Sequence, residues 1–340
     1  MKRMKYVILT AIFGVTVVVL LSLHRLPKAE PAGEWRVLAR SDLIHGSRLS
    51  QVKFFDKKTG LVLSPGAIGL TNDGGKSWTV VQASENQGYY SLVFADARNG
   101  IVVGALNNEV PLVLQTADGG YSWQTLDLHP DLLNGDRKIS TLLDACFDST
   151  GKLWIVGNRG IINASVRENQ LNVASVHPTT DILYSVACAP DGRIWAAGQG
   201  TVLSSDNGWQ RKQIDRNYYF GKVKVIASDI WLLGGIHANA DSGPNSGVLL
   251  RSSNSGNTWE SKLPESDGLP YDLVKSDGML WLIGASGQIH YSKDNGDSWI
   301  KFPSPTNADL LSVYFLDQQT GWITGDRGTV LEYVIRRNGE

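Results

Sequence analysis

Pairs of carboxylates are the first residues in this chain that could do chemistry. Two of them facing a common cleft would cleave a glycosidic bond, and the candidates in polar stretches are Asp42, Glu85, Asp131 and Asp181. No His-x-x-x-His or Cys-pair metal spacing, Gly-x-Ser-x-Gly elbow or phosphate-binding loop accompanies them. The residues therefore favour a protein with no catalytic residues, no metal site and no cofactor. An exported glycoside hydrolase or a carbohydrate-binding protein is the alternative.

A second set of residues suits the binding of a protein partner. Arginine and tyrosine are enriched in binding hot spots, and both recur in segments between the predicted strands. The residues that we predict to bind a partner are Arg40, Arg48, Arg137, Arg159, Arg216, Tyr218, Tyr219 and Arg327. They can act together only if the fold brings these distant segments to one surface.

A repeated motif indicates how the fold could do so. The stretch SKDNGDSW at 292–299 recurs as TNDGGKSW at 71–78, TADGGYSW at 116–123, SSNSGNTW at 252–259 and, shortened, SSDNGW at 204–209. Trp35 and the tryptophans that end these motifs are separated in order by 43, 45, 86, 50 and 40 residues. Since 86 is twice 43, the period equals one four-stranded propeller blade, roughly 40 to 50 residues.

The residue types of the motif predict a hairpin turn followed by an anchor. Aspartate accepts hydrogen bonds from backbone N–H groups, and the glycine adopts a left-handed conformation at little cost. Tryptophan then buries a large ring between strands. We therefore predict structural roles for Asp73, Trp78, Asp118, Trp123, Asp206, Trp209, Asn254, Trp259, Asp294 and Trp299.

A second pattern gives the number of blades. A bulky apolar residue stands three places before a small one at Leu61/Ser64, Ile101/Gly104, Trp154/Gly157, Trp195/Gly198, Trp231/Gly234, Trp281/Gly284 and Trp322/Gly325. These pairs predict an all-β, seven-bladed β-propeller. Trp35 follows the anchor pattern although no inner strands precede it, so the N-terminal strand is expected to complete the last blade and leave no open edge.

Residues 1–31 differ from the rest of the chain. After the basic start MKRMK, the 18 residues from Tyr6 to Leu23 carry no charge, and a helix of that length spans about 27 Å. We predict a membrane-anchoring transmembrane helix and linker at 1–31, and a propeller at 32–340 on the periplasmic or lumenal side. A cleaved signal peptide followed by secretion is the alternative. The exported part has 27 Lys and Arg against 32 Asp and Glu, which argues against nucleic-acid binding.

The two cysteines, Cys146 and Cys188, occur in the predicted innermost strands of adjacent blades. An exported protein permits a disulfide. A matching register would instead point one cysteine toward the neighbouring blade and the other away from it. We therefore expect two buried free thiols.

The motif S/T-x-D-x-G-x-x-W resembles the Asp-box, or BNR repeat, of sialidases and sortilin-type receptors. GWITGDRGTVL at 321–331 and GMLWLIGASGQIHYSKDNGDSW at 278–299 are similar to the photosystem II stability/assembly factor family, and the likeness covers about residues 34–340. The Arg-Ile-Pro signature of sialidases is absent, because RLSQVKFFD at 48–56 contains no proline.

The resemblance implies a monomeric, non-enzymatic assembly factor that holds a membrane-protein client. A helper for another envelope complex is equally consistent with the residues. In such propellers the partner-binding end is built from blade-to-blade links and second-to-third-strand turns, opposite the Asp-box hairpins. The arginine and tyrosine set belongs to that end.

Overall fold

The computed structural model describes residues 7–10, 16–19, 30–38, 47–128, 141–167, 169–237, 246–264 and 268–335. The chain forms two compact units, residues 1–32 and 33–340. In the first unit, β1 (Val7–Thr10) pairs with the antiparallel strand β2 (Thr16–Val19). Both strands fall within the predicted transmembrane helix, so that prediction is wrong for these stretches, whose β-branched residues favour strands. None of the helices in the described part of the chain has the length and apolar character needed to span a membrane.

The second unit is an all-β propeller, and five of its sheets are separate and four-stranded. Two of them come first in the chain: β4 (Gln51–Phe54), β5 (Gly60–Ser64), β6 (Ala67–Thr71) and β7 (Thr79–Ala83) form one sheet, and β8 (Gln87–Phe94), β9 (Gly100–Leu106), β10 (Val110–Thr116) and β11 (Gln124–Thr125) form the next. Two more follow later: one contains β19 (Tyr218–Ile226), β20 (Asp229–Ile236), β21 (Gly247–Ser252) and β22 (Glu260–Ser261), and the other β23 (Pro270–Ser276), β24 (Met279–Gly284), β25 (Ile289–Ser292) and β26 (Ile300–Lys301). The fifth sheet combines β27 (Leu310–Asp317), β28 (Thr320–Gly325) and β29 (Val330–Ile335) with β3 (Gly33–Val37).

The remaining strands form one seven-stranded sheet where the sequence predicts two separate blades. Its members are β12 (Asp127–Leu128), β13 (Leu142–Phe147), β14 (Leu153–Arg167), β15 (Gln170–Cys188), β16 (Ile194–Gly198), β17 (Thr201–Ser204) and β18 (Gln210–Arg211). The prediction of seven separate four-stranded blades is therefore wrong in this region. The physical reason is that β15 is continuous: its first part pairs with β14 and its last part with β16, so no link divides the sheet.

The ring closes through the strand that contains Trp35. Strand β3 pairs antiparallel with β29, and Trp35 lies opposite Tyr333. The Trp35 ring packs 6.0 Å from that of Trp281 and 5.2 Å from that of Tyr333, measured between centroids. The prediction that the N-terminal strand completes the last sheet is confirmed.

Large side chains on the second strands fill the spaces between neighbouring sheets. The buried apolar residues form seven clusters within the described part of the chain, and Trp195, Trp231 and Trp322 are almost fully buried. Trp231 reaches beneath the Asp-box turn of the next sheet, where a Cβ on Gly296 would lie 2.5 Å from its ring. The absence of a side chain at this glycine therefore also allows neighbouring sheets to pack closely.

Cys146 and Cys188 form a disulfide, so the prediction of two free thiols is wrong. Cys146 lies opposite Trp154 in the ladder, whereas the corresponding partner of Trp195 is Ala187, one residue before Cys188. The two cysteines are thus one residue out of matching register. Because adjacent residues of a strand point to opposite faces, the two side chains meet between β13 and β15.

Candidate functional site

The Asp-box turns lie between the third and fourth strands, at one end of the ring. In the first turn, Asp73 Oδ1 accepts a hydrogen bond from the Ser77 N–H at 2.9 Å, and Asp73 Oδ2 accepts one from the Ser77 hydroxyl at 2.6 Å. The Thr71 hydroxyl donates to Asp73 at 2.8 Å and accepts from the Gly75 N–H at 2.9 Å. Each turn is thus held by its own side chains.

The same contacts recur around Asp118 and Asp294, where the bonds come from Ser122 and Ser298. Burial alone would raise the pKa of Asp118, but hydrogen bonds from Ser122, Thr116 and the Tyr121 backbone outweigh it and lower the pKa to about 2. Asn254 replaces the aspartate in the fourth turn and donates instead to the Thr258 hydroxyl at 2.8 Å. The turn geometry therefore does not depend on a negative charge.

The shortened turn differs from this pattern. Asp206, in the shortened motif, accepts from the Ser204 hydroxyl and lies 3.6 Å from Lys212 Nζ. The anchor tryptophans also differ: Trp78 and Trp123 donate from Nε1 to the glycine oxygen of their own turn, whereas Trp299 donates to the Lys262 oxygen at 2.6 Å. Trp209 packs against Trp154, and Trp259 packs partly buried beside β20 and β21.

A polar belt surrounds the central channel. It consists of the inner-strand residues Gln51, Ser91, Asp144, Ser185, Asp272 and Ser312, and all but Gln51 follow a bulge in the inner ladder. Asp144 accepts from Ser91 at 2.6 Å, from Ser185 at 2.8 Å and from the Val186 N–H at 3.0 Å. The belt thus joins one inner strand to the next through side chains.

Asp272 is the most deeply buried carboxylate of the polar belt. Burial favours its neutral form, yet the charges of Lys224 and Lys222 and the hydrogen bonds that it accepts keep its pKa below the usual value. Lys224 Nζ lies 2.8 Å from Asp272 Oδ1, and the Val313 N–H donates to Oδ2 at 3.0 Å. Asp272 therefore stays charged and connects three inner strands.

The opposite end of the ring brings several predicted partner-binding residues together. We call it the loop face and define it by Arg48, Tyr219, Tyr271, Asp309 and Arg327. Arg48 Nη1 donates to both carboxylate oxygens of Asp326, at 3.1 and 3.2 Å. The next residue, Arg327, is exposed and has a left-handed φ of 58°. Arg48 and Arg327, two of the predicted arginines, are therefore close to one another, since Arg48 binds the residue that precedes Arg327.

Tyrosines border the same surface. The Arg48 guanidinium lies 6.0 Å from the centroid of the Tyr271 ring, and the Tyr271 hydroxyl donates to Asp309 Oδ2 at 3.4 Å. Asp309 Oδ1 accepts from the Ser286 N–H at 2.8 Å. Burial raises the pKa of Tyr271, with a further contribution from Asp309. Tyr219 and Tyr271 line one pocket together with Arg48.

The other predicted residues are placed as follows. Arg216 is exposed just before β19, and Tyr218 is half-buried at the start of that strand. Arg159 lies within β14, and nothing is described of its side chain. Arg40 and Arg137 lie outside the described residues.

The carboxylate candidates for glycoside cleavage are not brought together in the described part of the chain. Asp181 is bound by Arg211 and Thr179, while Glu85 lines a different groove with Tyr90 and Asn108. Asp42 and Asp131 lie outside the described residues.

Sequence reasoning missed Tyr271 and Asp309, and also Leu269, which lines the pocket with Tyr219 and Tyr271. Tyr271 stands at the start of inner strand β23, as Tyr219 does at the start of β19. The two tyrosines differ in register, because Phe220 and Pro270 both precede the bulge and Tyr271 therefore corresponds to Gly221. An alignment of the strands does not reveal the pair. Asp309 also had no sequence signal, because its role depends on the close approach of Ser286 and Tyr271.

The comparisons with known proteins agree with this architecture. A family model described as "Photosynthesis system II assembly factor YCF48" matches residues 271–334. The chain is 25% identical over 293 residues to the photosystem II stability/assembly factor HCF136 of Arabidopsis thaliana, covering 78% of this chain and 70% of that protein. The resemblance to the photosystem II assembly factors is confirmed. The photosystem II assembly lipoprotein Ycf48 of Nostoc sp. is also 25% identical, over 332 residues that cover 83% of this chain and 94% of that protein.

Solved structures of photosystem II assembly factors share the fold. The structure described as "YCF48 bound to D1 peptide" superposes with a TM-score of 0.68 at 18% identity, covering 91% of this chain and 96% of that one. YCF48 from Cyanidioschyzon merolae gives a TM-score of 0.67 at 18% identity, covering 88% and 99%. At this level of identity the superpositions establish the propeller fold.

Proposed function

We propose that this chain is a non-enzymatic assembly factor that binds a membrane-protein client through its loop face. The observation that carries the proposal is the grouping of Arg48, Arg327, Tyr219 and Tyr271 at the end of the ring opposite the Asp-box turns. Arginine and tyrosine at such a rigid, open end suit a protein partner. Relatives that match most of the chain are named as photosystem II assembly factors, and one solved relative is described as bound to a peptide.

The described contacts support structural roles for the Asp-box residues. Their carboxylates are occupied by hydrogen bonds within their own turns. A partner is therefore expected to bind at the loop face rather than at the Asp-box turns.

We further propose that the ring has seven blades, with the seven-stranded sheet acting as two of them. Seven apolar clusters lie between neighbouring inner ladders in the described part of the chain. The first and last parts of β15 pair with different strands, as they would in adjacent blades. The alternative is a ring of six sheets around the channel. Electron density projected along the channel axis would then show six lobes rather than seven.

We place the propeller on the exported side of a membrane, with residues 1–31 keeping it there. The uncharged run from Tyr6 to Leu23 and the disulfide, which suits an oxidising compartment, support this location. Relatives named as lipoproteins are consistent with it. The test is extraction of native membranes with carbonate: a chain released entirely into the soluble fraction contradicts the attachment.

Affinity purification of the tagged full-length chain from its native membranes tests the function. We expect one membrane protein to co-purify, and we expect the double change Arg48→Glu and Arg327→Glu to reduce its recovery at least tenfold, since charge reversal turns attraction into repulsion. The matched control is Lys58→Glu with Lys152→Glu, which reverses two exposed charges at the Asp-box end. Equal recovery with both double variants would exclude the loop face.

A further inference from the structure

A pocket at the mouth of the channel has an apolar floor. Tyr219 and Tyr271 line it together with Leu233, Leu269, Pro270 and Leu311, and we call these four apolar residues the floor. Leu233 and Pro270 are buried, while Leu269 is half-buried in the link before β23. Small concave sites of this composition take up an apolar side chain.

Two cations border this floor. Arg48 and Lys222 line the pocket, and Lys222 forms no ion pair with any other described residue. Arg48 is bound to Asp326, but its guanidinium has five donors and uses one nitrogen there. Two other carboxylates are already occupied: Asp309 accepts bonds from Tyr271 and Ser286, and Asp272, on which the charge of Lys222 also acts, is paired with Lys224. The rim therefore favours an anionic group.

One neutral donor completes the pocket. The Tyr219 hydroxyl has no hydrogen bond to another described residue, and burial raises its pKa, so that it remains protonated. A tyrosine hydroxyl in such surroundings gains from a ligand that supplies an acceptor. A carboxylate or a peptide carbonyl does so.

We propose that this pocket selects the client by one apolar side chain with an Asp or Glu directly beside it in the sequence. The inference rests on the proposed function and narrows it to a recognition element. The apolar side chain enters between Tyr219 and Tyr271 and displaces water from the leucines. The adjacent carboxylate accepts hydrogen bonds from Arg48 and Lys222 at the rim, which makes a basic segment a poor ligand.

The probe is a random heptapeptide library displayed on phage and selected on the immobilised full-length chain. We expect enriched sequences to pair Leu, Ile, Met or Phe with a neighbouring Asp or Glu. A fluorescein-labelled peptide of the enriched sequence then gives affinities by anisotropy. Replacing its apolar residue with Ala, or its acid with the amide, should weaken binding about tenfold each.

Two substitutions in the protein test the pocket itself. Lys222→Ser introduces the residue that Ser91, Ser185 and Ser312 carry at equivalent positions, so the fold should tolerate it. Leu269→Ser removes part of the floor. Each should weaken the labelled peptide about tenfold, while Lys58→Ser and Leu106→Ser, a half-buried leucine near the turn of another sheet, should change binding less than twofold. Unaltered melting temperatures show that the variants are folded.

Failure of this inference differs from failure of the proposed function. If the client still co-purifies with Lys222→Ser and Leu269→Ser at the level of the unchanged chain, the pocket is not the recognition site, although the assembly role stands. If the selected peptides lack the apolar and acidic pair, or bind all four variants equally, the inference is also overturned. The reverse outcome is also possible: the chain binds the peptide through the pocket but captures no membrane protein. That result would support the pocket as a binding site and contradict the proposed assembly role.

Discussion

The indole N–H of Trp322 donates a hydrogen bond to the backbone oxygen of Gly74, 248 residues away in the chain, at 3.0 Å. The ring of Trp322 also stacks on Phe54 with a centroid distance of 3.5 Å and an interplanar angle of 5°. This contact joins the last sheet to the first Asp-box turn. The motif and the second-strand tryptophan, which recur separately in the sequence, thus meet between neighbouring sheets.

Trp322→Phe should destabilise the fold more than Trp231→Phe does. Both changes remove the same indole volume from a buried site, but only Trp322 loses a hydrogen bond and leaves a buried acceptor unpaired. The Trp231 Nε1 atom has no hydrogen-bond partner. We expect the free energy of unfolding, measured in urea, to fall by about 1–2 kcal/mol more for Trp322→Phe. Equal losses in the two variants would show that the bond to Gly74 contributes nothing.

Removing the disulfide should lower stability without unfolding the ring. The bond closes a loop with a sequence separation of 42 residues, and a disulfide of this span contributes about 2–4 kcal/mol. We expect Cys146→Ser with Cys188→Ser to lower the free energy of unfolding by that amount. A reducing agent should cause the same loss in the unchanged chain and none in the double variant. Two titratable thiols in the unreduced, unfolded protein would contradict the disulfide.

The acid dependence of stability should follow the charge of the Asp-box turns. The pKa of Asp118 is lowered to about 2 in the folded chain, so its stabilising contribution is present above the ordinary carboxyl pKa and is lost as the pH falls toward 2. Asp118→Asn should therefore reduce the loss of stability between pH 7 and pH 3. The reciprocal change Asn254→Asp should increase it.

Urea unfolding of these two variants and the unchanged chain at both pH values provides the measurement. Asn254 already shows that an amide fits the turn, so both variants should fold. An identical pH dependence in all three proteins would mean that the lowered pKa has no effect on stability.

Arg327→Gly should separate stability from binding. Arg327 and Ser286 occupy equivalent turns with left-handed φ values of 58° and 55°, which cost a non-glycine residue free energy. Glycine relieves this strain, partly offset by its greater freedom in the unfolded chain. We expect Arg327→Gly and Ser286→Gly each to raise the free energy of unfolding by about 0.5 kcal/mol.

Only Arg327→Gly should also lose client, because Ser286 carries no charge. Thermal unfolding and client recovery measured on the same preparations provide the comparison. A destabilised Arg327→Gly, or equal client recovery with both variants, would contradict the assignment of Arg327 to the binding surface.

Local periodicity was sufficient to predict the propeller. The spacing of the Asp-box tryptophans predicts four-stranded sheets, and the isolated Trp35 predicts the strand that closes the ring. Both predictions depend on residues whose types are dictated by the turn or by burial. Such positions repeat because every sheet has the same geometry.

The errors arose where the outcome depended on single-residue register or on contacts between repeats. Cys146 and Cys188 appear aligned in the sequence, but a shift of one residue reverses the direction of a strand side chain, and that shift makes the disulfide possible. The continuity of β15 was missed because the Asp-box motif marks the turn between the third and fourth strands and gives no signal for the link to the next sheet. Tyr271 and Leu269 join Tyr219 only in three dimensions, so no local pattern revealed the pocket.

The pairing of β3 with β29 sets the order in which the chain can mature. Within the propeller, the strand that closes the ring is made first and its partner last, so an emerging chain stays open until residues 330–335 have left the ribosome. Until then β3 has no partner and the growing array has free edges on both sides. An early-made strand that waits for a distant partner also raises the contact order, which slows folding. The propeller would thus pass through an interval during its biogenesis in which its unpaired strands can aggregate.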